Sequence, residues 1–261
     1  MKSIKSVEKA VDIMSCFTVE TPSLTVTEIS FLTGFNQSTV SRILATLEKK
    51  KCVERATPGG KYRLGVKFHQ WKMILSQETS IGDIARPVME KLRDFCGEEV
   101  SLYVLSEGSR ICVEAVKSRH GIARVTQVGK LLPIHCGASG KVLLAYLPDN
   151  ERREIIYSRP LEKFTPKTIT DPDELEANLQ KIRSDGYATS LEEREAGNYS
   201  VVTPILGKDG KILASLAICG PIFRLTDEQL EKNIVAAKNA AAEISVALGR
   251  SEKEKGNPQW S

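Results

Sequence analysis

The sequence has few of the residues on which metal sites, disulfide frameworks and membrane spans depend. Only three histidines and six cysteines occur among 261 residues, and no two cysteines form a CxxC pair. We therefore expect reduced thiols, no metal site and no cofactor. The longest nearly apolar run, residues 212–219, is far shorter than the roughly 20 residues that cross a bilayer. Acidic Glu8 and Asp12 interrupt any signal-like start, so we expect a cytoplasmic protein.

The composition also lacks the bias of disordered or collagen-like chains. Hydrophobic residues make up 41% of the sequence and charged residues 27%, with 18 glycines and 11 prolines. These proportions are typical of a globular protein with a buried core. The length predicts two domains.

The positive charge is unevenly distributed along the chain. Residues 1–80 contain twelve basic and seven acidic side chains, a net of +5, whereas the remainder contains 25 basic and 26 acidic ones. This asymmetry favours a polyanion-binding N-terminal module joined to a neutral domain. A solvated basic face without a partner is the alternative.

The first domain has the local signals of a helix-turn-helix. Apolar residues at helical spacing predict a helix over residues 6–17. Thr25 and Glu28 stand at capping-box spacing before a short helix that Gly34 ends, and Asn36 is suited to cap the next one. Two short helices joined by a tight turn make the pattern.

The third predicted helix begins with short polar side chains and one arginine, which suit the crowded major groove of DNA better than an ordinary solvated surface. A basic hairpin follows, with strands at 52–55 and 61–64 and turn residues at 57–60. Together these elements predict a winged helix. The predicted DNA-binding residues are Gln37, Ser38, Thr39, Ser41, Arg42, Arg55, Lys61 and Arg63.

Several motifs resemble those of the IclR-type transcriptional regulators. In the first domain they are Ser6-Val7-Glu8-Lys9-Ala10, Gln37-Ser38-Thr39-Val40-Ser41-Arg42-Ile43-Leu44, Leu47-Glu48 and Tyr62-Arg63-Leu64-Gly65. In the second half they are Arg119, Leu132-Pro133-Ile134-His135, Ser139-Gly140-Lys141, Gly186-Tyr187-Ala188, Glu192-Glu193, Gly197 and Gly220-Pro221. The resemblance covers about residues 4–248.

The second half alternates helical and strand patterns, which predicts an α+β fold. Strands are expected at 100–105, 111–116, 123–127, 187–191, 200–206 and 212–219, and helices at 140–147, 150–157, 173–184 and 226–248. The resemblance implies a GAF-like or profilin-like effector-binding domain. The expected division is 1–64 for the winged helix-turn-helix DNA-binding domain, 65–79 for a linker helix, 80–248 for the effector-binding domain and 249–261 for a disordered tail.

Two enzymatic interpretations of the segment 137–141 fail on spacing. A P-loop requires glycine at 135 and serine or threonine at 142, where His135 and Val142 stand. A nucleophile elbow requires glycine at the position of Lys141. We expect the carboxylates of Glu192, Glu193 and Glu195 to be solvated loop charges, and we predict no catalytic residue.

A binding interpretation of the same segment is stronger. Small residues at a helix start leave backbone N–H groups at the positive end of the helix dipole, where a carboxylate can bind. The resemblance implies an effector pocket at Ala138, Ser139, Ser190, Asn198, Ser200, Ala217 and Cys219. Relatives that bind very small oxo-acids carry more polar groups at several of these positions. We therefore expect a carboxylate with an apolar or aromatic body, and weak binding of glyoxylate or pyruvate.

The sequence predicts a ligand-responsive, sequence-specific DNA-binding regulator, with repression as the expected mode. The expected partners are a double-stranded DNA operator, a small carboxylate effector and a second copy of the chain in a homodimer, which the family resemblance extends to a tetramer. One alternative is an enzyme that converts a small carboxylate and is tethered to nucleic acid by the basic module. Another is an architectural DNA-binding protein without an effector.

Overall fold

The computed structural model describes residues 3–18, 20–56, 60–75 and 80–255, and the chain divides into two compact units, Met1–Ser80 and Ile81–Ser261. The first unit contains helices α1 (Lys5–Ser15), α2 (Val26–Thr33), α3 (Gln37–Lys49) and α4 (Lys67–Leu75), with strands β1 (Ser23–Leu24), β2 (Val53–Ala56) and β3 (Lys61–Leu64).

The first three helices meet at a small apolar core. Ile13, Ile29, Val40 and Leu44, one or two from each of α1, α2 and α3, are fully buried there. The strands form an antiparallel sheet in the order β1-β3-β2. The predicted winged helix-turn-helix is therefore confirmed, and β1 is an element that the sequence analysis did not predict. Residues 57–59 of the turn predicted at 57–60, and residues 76–79 of the predicted linker helix, lie outside the described residues.

The second unit is a six-stranded antiparallel sheet with helices on both faces. Its strands are β4 (Glu99–Ser106), β5 (Ser109–Val116), β6 (Leu131–Pro133), β7 (Ala188–Leu191), β8 (Asn198–Leu206) and β9 (Ile212–Pro221), in the order β6-β5-β4-β9-β8-β7. Its helices are α5 (Ile81–Cys96), α6 (Ala138–Ala145), α7 (Asp149–Tyr157), α8 (Pro172–Asp185) and α9 (Asp227–Lys255). The α+β class is confirmed.

Side chains of the central strand β9 alternate between two cores. Leu216 and Ile218 pack with α5 and α9 on one face, whereas Ala217 and Cys219 pack toward α6 and α8 on the other. Because successive strand residues point to opposite faces, a strand buried on both sides is apolar almost throughout, as β9 is.

Two predicted segments differ in the structure. The described backbone of residues 117–130 contains no strand, so the strand predicted at 123–127 is wrong; the edge position beside β5 is taken by β6. Thr126 instead donates its backbone N–H to the buried Glu99 carboxylate at 2.8 Å. Helix α9 continues to Lys255, beyond residue 248, and residues 256–261 of the predicted tail lie outside the described residues.

Candidate functional sites

Helices α2 and α3 are held by the predicted capping residues. The Thr25 hydroxyl accepts from the Glu28 backbone N–H, and the Glu28 carboxylate accepts from the Thr25 backbone N–H at 2.7 Å. This backbone hydrogen bond lowers the pKa of Glu28. Gly34 ends α2 in the left-handed conformation, which glycine adopts without steric cost. The Asn36 side chain then accepts from the Thr39 backbone N–H at 2.8 Å and caps α3.

The polar start of α3 faces solvent while its apolar side is buried. Gln37, Ser38, Ser41 and Arg42 are exposed, and Thr39 is half-buried. The exposed side chains lie on one face of the helix and form a polar surface suited to a DNA groove. The Ser38 hydroxyl donates to the Asn36 side chain, so it offers DNA mainly its acceptor lone pairs.

The two arginines of the predicted wing are exposed and ion-paired within the unit. Arg55 lies 3.3 Å from the Glu48 carboxylate, and Arg63 lies 2.7 Å from Glu54 on the neighbouring strand. Exposed pairs contribute only about 0 to 1 kcal/mol, so exchange of either glutamate for a phosphate costs little. Lys61, which pairs with Ala56 across the hairpin, is half-buried.

Most of the predicted effector residues line a small cavity beside the start of α6. Its volume is about 30 Å³, and it is lined by Tyr103, Arg110, Arg124, Gly137, Ala138, Ser139, Ser190, Glu193, Arg194, Glu195, Asn198, Tyr199, Ser200 and Cys219. Six of the seven predicted residues are among them. Ala217 is not, since it lies deeper under α6 in the core. The lining is largely polar and charged, so it does not support the predicted shift toward an apolar pocket.

A larger cavity of about 470 Å³ adjoins the small one. Residues 122–127, Lys130, Leu132 and Pro221 line it, and both cavities share the side chains of Arg124, Arg194, Glu195 and Asn198. We call the small cavity the inner recess and the larger one the outer chamber. A ligand can thus place a polar head in the recess and its body in the chamber.

Arg110 is the principal cation of the inner recess. It is 3% exposed and donates from Nη1 to the Pro133 and Cys136 carbonyls at 2.7 and 2.6 Å. Burial lowers the pKa of Arg110 to about 10, so the side chain remains charged at neutral pH. No carboxylate pairs with it within the part of the chain that the structure describes, and its Nε has no partner there. An anion in the recess would supply the missing charge.

Gly140 explains how the arginine fits under α6. A Cβ at this position would overlap the Ile134 carbonyl and come within 2.5 Å of Arg110 Nη1. The Gly-Lys motif therefore permits the close approach of the helix start to a buried guanidinium.

Glu193 and Lys141 form a buried ion pair at the same cavity. Lys141 Nζ lies 2.7 Å from Glu193 Oε2, and the two side chains are 5% and 6% exposed. The expectation that Glu193 is solvated is therefore wrong, whereas the side chain of Glu195 is 54% exposed and that of Glu192 is 30% exposed. The Glu193 carbonyl accepts from the hydroxyls of Thr165 and Thr168, which hold this loop against the domain.

Two further arginines lie where the recess meets the chamber. Glu195 is 3.8 Å from Arg124 and 3.3 Å from Arg194, so one carboxylate serves two guanidinium groups. Burial alone would lower the pKa of Arg124. The nearby Cys219 and Tyr103 groups act in the opposite direction and raise this pKa above its usual value. For the Cys219 thiol, burial instead raises the pKa. The excess of cations makes the cavity suited to an anion.

Sequence reasoning missed the three arginines and the ion pair. For Arg110 a signal existed: it lies two residues before Cys112, so strand alternation places the two on one face, and Cys112 is fully buried. Arg124 and Arg194 lie on irregular segments, where no periodicity assigns a direction to a side chain.

Among the described residues, no helix is both long and apolar enough to span a membrane, and no cluster of three potential metal-ligating side chains occurs.

Two family models match this chain. The model for the bacterial transcriptional regulator IclR C-terminal domain matches residues 74–246, and that for the IclR helix-turn-helix domain matches residues 6–56.

The relatives cover almost the whole chain. The HTH-type transcriptional regulator XynR of Escherichia coli (strain K12) is 28% identical over 95% of this chain and 99% of its own length. The transcriptional repressor IclR of the same organism is 25% identical over 94% of this chain and 90% of its own. A solved structure of an IclR homolog from Microbacterium hydrocarbonoxydans, complexed with 4-hydroxybenzoate, has a TM-score of 0.80 at 26% identity, covering 93% of this chain and 98% of that one.

Proposed function

Because this chain belongs to the IclR family of bacterial transcriptional regulators, we propose that it is a repressor that binds an operator and responds to a small carboxylate. The observation that carries the effector proposal is the buried Arg110 without a carboxylate partner among the described residues, at a cavity beside the start of α6. Repression is supported by the similarity to the repressor IclR. A regulator of bacterial DNA acts in the cytoplasm.

We propose that α3 enters the major groove and that the wing follows the backbone. Arg42 and Gln37 reach base edges, while Ser38, Thr39 and Ser41 contact bases or phosphates. Arg55, Lys61 and Arg63 neutralise phosphates beside the groove. In this proposal residues 1–64 bind DNA, residues 65–79 link the domains, and residues 80–248 bind the effector.

The effector carboxylate binds in the inner recess in this proposal. Backbone N–H groups at Ala138 and Ser139 and the Arg110 guanidinium provide its donors. Ser190, Asn198, Ser200 and Cys219 line the opposite wall. The 4-hydroxybenzoate bound by a relative supports a carboxylate with an aromatic body, which the outer chamber accommodates.

The test combines thermal unfolding with operator binding. Metabolite carboxylates that raise the Tm should also release the protein from DNA upstream of its own operon, measured by fluorescence anisotropy. Arg110→Gln should abolish both responses while leaving ligand-free DNA binding intact. Arg153→Gln, on an exposed arginine of α7 that stacks on Tyr157 outside both cavities, is the control. A full ligand response in Arg110→Gln would contradict the proposal.

A homodimer on DNA is part of the proposal. Helix α1 exposes Val7 and Val11 on one face, with Ile4 about one turn before Val7, and α4 exposes Met73 and Ile74. Such apolar faces on a first and a linking helix are suited to pairing with a second copy. Further pairing through the effector domains would give a tetramer.

The two alternative functions predict different outcomes. The matching family consists of transcriptional regulators, so the enzyme hypothesis is not retained. An architectural DNA-binding protein would show no stabilisation by any carboxylate. The buried cation at the cavity favours the ligand-responsive function.

A further inference from the structure

The inner recess has an unpaired donor and an unpaired acceptor at the same time. Within the described residues, Arg110 Nε and Glu193 Oε1 are both buried without a hydrogen-bond partner. Both residues line the recess, and they are 3% and 5% exposed. Buried polar atoms are normally hydrogen-bonded, so each of these two atoms indicates a group that the cavity accepts.

A simple carboxylate satisfies only one of the two atoms. Its oxygens can accept from Arg110, but they would lie beside the Glu193 carboxylate as a second acceptor of like charge. Lys141 holds Glu193 Oε2 at 2.7 Å, so Oε1 is the oxygen of this recess-lining carboxylate that lacks a partner among the described residues. A hydrogen-bond donor on the ligand removes the conflict, since it binds the orphaned oxygen directly.

We propose that the effector carries a hydroxyl or amino group on the carbon next to its carboxylate, and that Glu193 accepts a hydrogen bond from this group. The proposal rests on the effector pocket given above. The recess volume of about 30 Å³ holds little more than the carboxylate and one neighbouring substituent, so donor and carboxylate are adjacent. The body of the ligand then occupies the outer chamber of about 470 Å³.

The test compares acids that differ only at this carbon. One series is phenylacetate, phenylglyoxylate and mandelate, and the other is propionate, pyruvate and lactate, with both enantiomers of each hydroxy acid. Dissociation constants come from calorimetry on the full-length protein. In each series we expect one enantiomer of the hydroxy acid to bind about 10- to 100-fold more tightly than the other two acids, as for a hydrogen bond to a charged group.

The possible results distinguish a failure of this inference from a failure of the proposed carboxylate pocket. Equal binding within a series means that water satisfies Glu193, and tighter binding of the oxo-acid means that the recess presents a donor; either result overturns the inference and leaves the carboxylate pocket standing. If none of the acids binds at millimolar concentration, the carboxylate pocket falls as well.

A variant provides a second measurement. In Glu193→Gln, Lys141 can donate to the amide oxygen, which turns the amide NH₂ toward the recess as a donor. The preference should reverse, with phenylglyoxylate binding more tightly than mandelate. Glu192→Gln, on the neighbouring side chain that pairs with Lys167 outside the recess, should keep the preference of the unmodified protein. An unchanged preference in Glu193→Gln would overturn the inference, and the ligand series alone decides if this variant does not fold.

Discussion

Replacement of Lys141 by methionine should strongly destabilise the effector domain. Methionine fills a similar volume but leaves the Glu193 carboxylate buried without its cation. The loop cannot easily carry this carboxylate to solvent, because Thr165 and Thr168 hold the Glu193 carbonyl at 2.9 and 2.7 Å. Since Glu193 Oε1 has no partner, both carboxylate oxygens would then be unsatisfied.

The expected loss is about 3 to 5 kcal/mol, which is typical of a buried ion pair broken on one side. For a domain of this size, 1 kcal/mol shifts the Tm by roughly 2 to 4 °C. The Tm of Lys141→Met should therefore fall by about 6 to 20 °C, measured by circular dichroism and checked by urea unfolding.

Two further variants separate the charge from the packing. Lys141→Met combined with Glu193→Leu should recover much of the loss, because an apolar pair needs no desolvation of charge. Lys232→Met breaks a pair of similar length, 2.6 Å, with the exposed Glu228, and should leave the Tm almost unchanged because solvent screens this pair. A Tm within 2 °C of the unmodified protein for Lys141→Met, or no recovery in the double variant, would refute this reasoning.

Four other predictions concern separate parts of the molecule. Arg42→Ala should weaken operator binding by about 1 to 3 kcal/mol without lowering the Tm, and unchanged affinity would remove Arg42 from the interface. Arg63→Gln should reduce the slope of log affinity against log salt by about 1, and an unchanged slope would show that no phosphate is contacted. Val7→Asp should shift the protein toward monomer in light scattering, and an unchanged molar mass would place α1 outside the dimer interface. Burial raises the pKa of Cys136 to about 11, so this thiol should react with iodoacetamide at pH 8 only as urea unfolds the protein. Rapid labelling of Cys136 in the native protein would contradict its burial.

Most of the fold could be predicted because its signals are local. The capping box at Thr25 and Glu28 and the cap at Asn36 act within four residues, and the structure contains both. The helices with an apolar stripe could also be predicted, because the stripe repeats every three to four residues. Short edge strands such as β1 and β6, of two and three residues, have no period of their own, since pairing with a neighbouring strand creates them.

The candidate pocket was only partly predictable, because its charged members depend on long-range packing. Arg110 on β5 meets carbonyls near the start of α6, 23 and 26 residues later in the chain. Glu193 meets Lys141 across a still longer separation. Charged residues are rarely fully buried, so Arg110, Lys141 and Glu193 would each be expected at the surface. Only the folded domain shows that they lie together.

Ligand binding and the Lys141–Glu193 ion pair both stabilise the folded effector domain, but they contribute different free energies. An effector present at 100 times its Kd stabilises the folded state by about 2.7 kcal/mol, whatever contacts it makes. This is less than the 3 to 5 kcal/mol expected from the loss of Lys141. A carboxylate would in addition meet an unneutralised Glu193, which weakens its own binding. Effector should therefore raise the Tm of the unmodified protein by several degrees yet fail to restore Lys141→Met, and full rescue by a carboxylate would mean that Glu193 does not face the ligand.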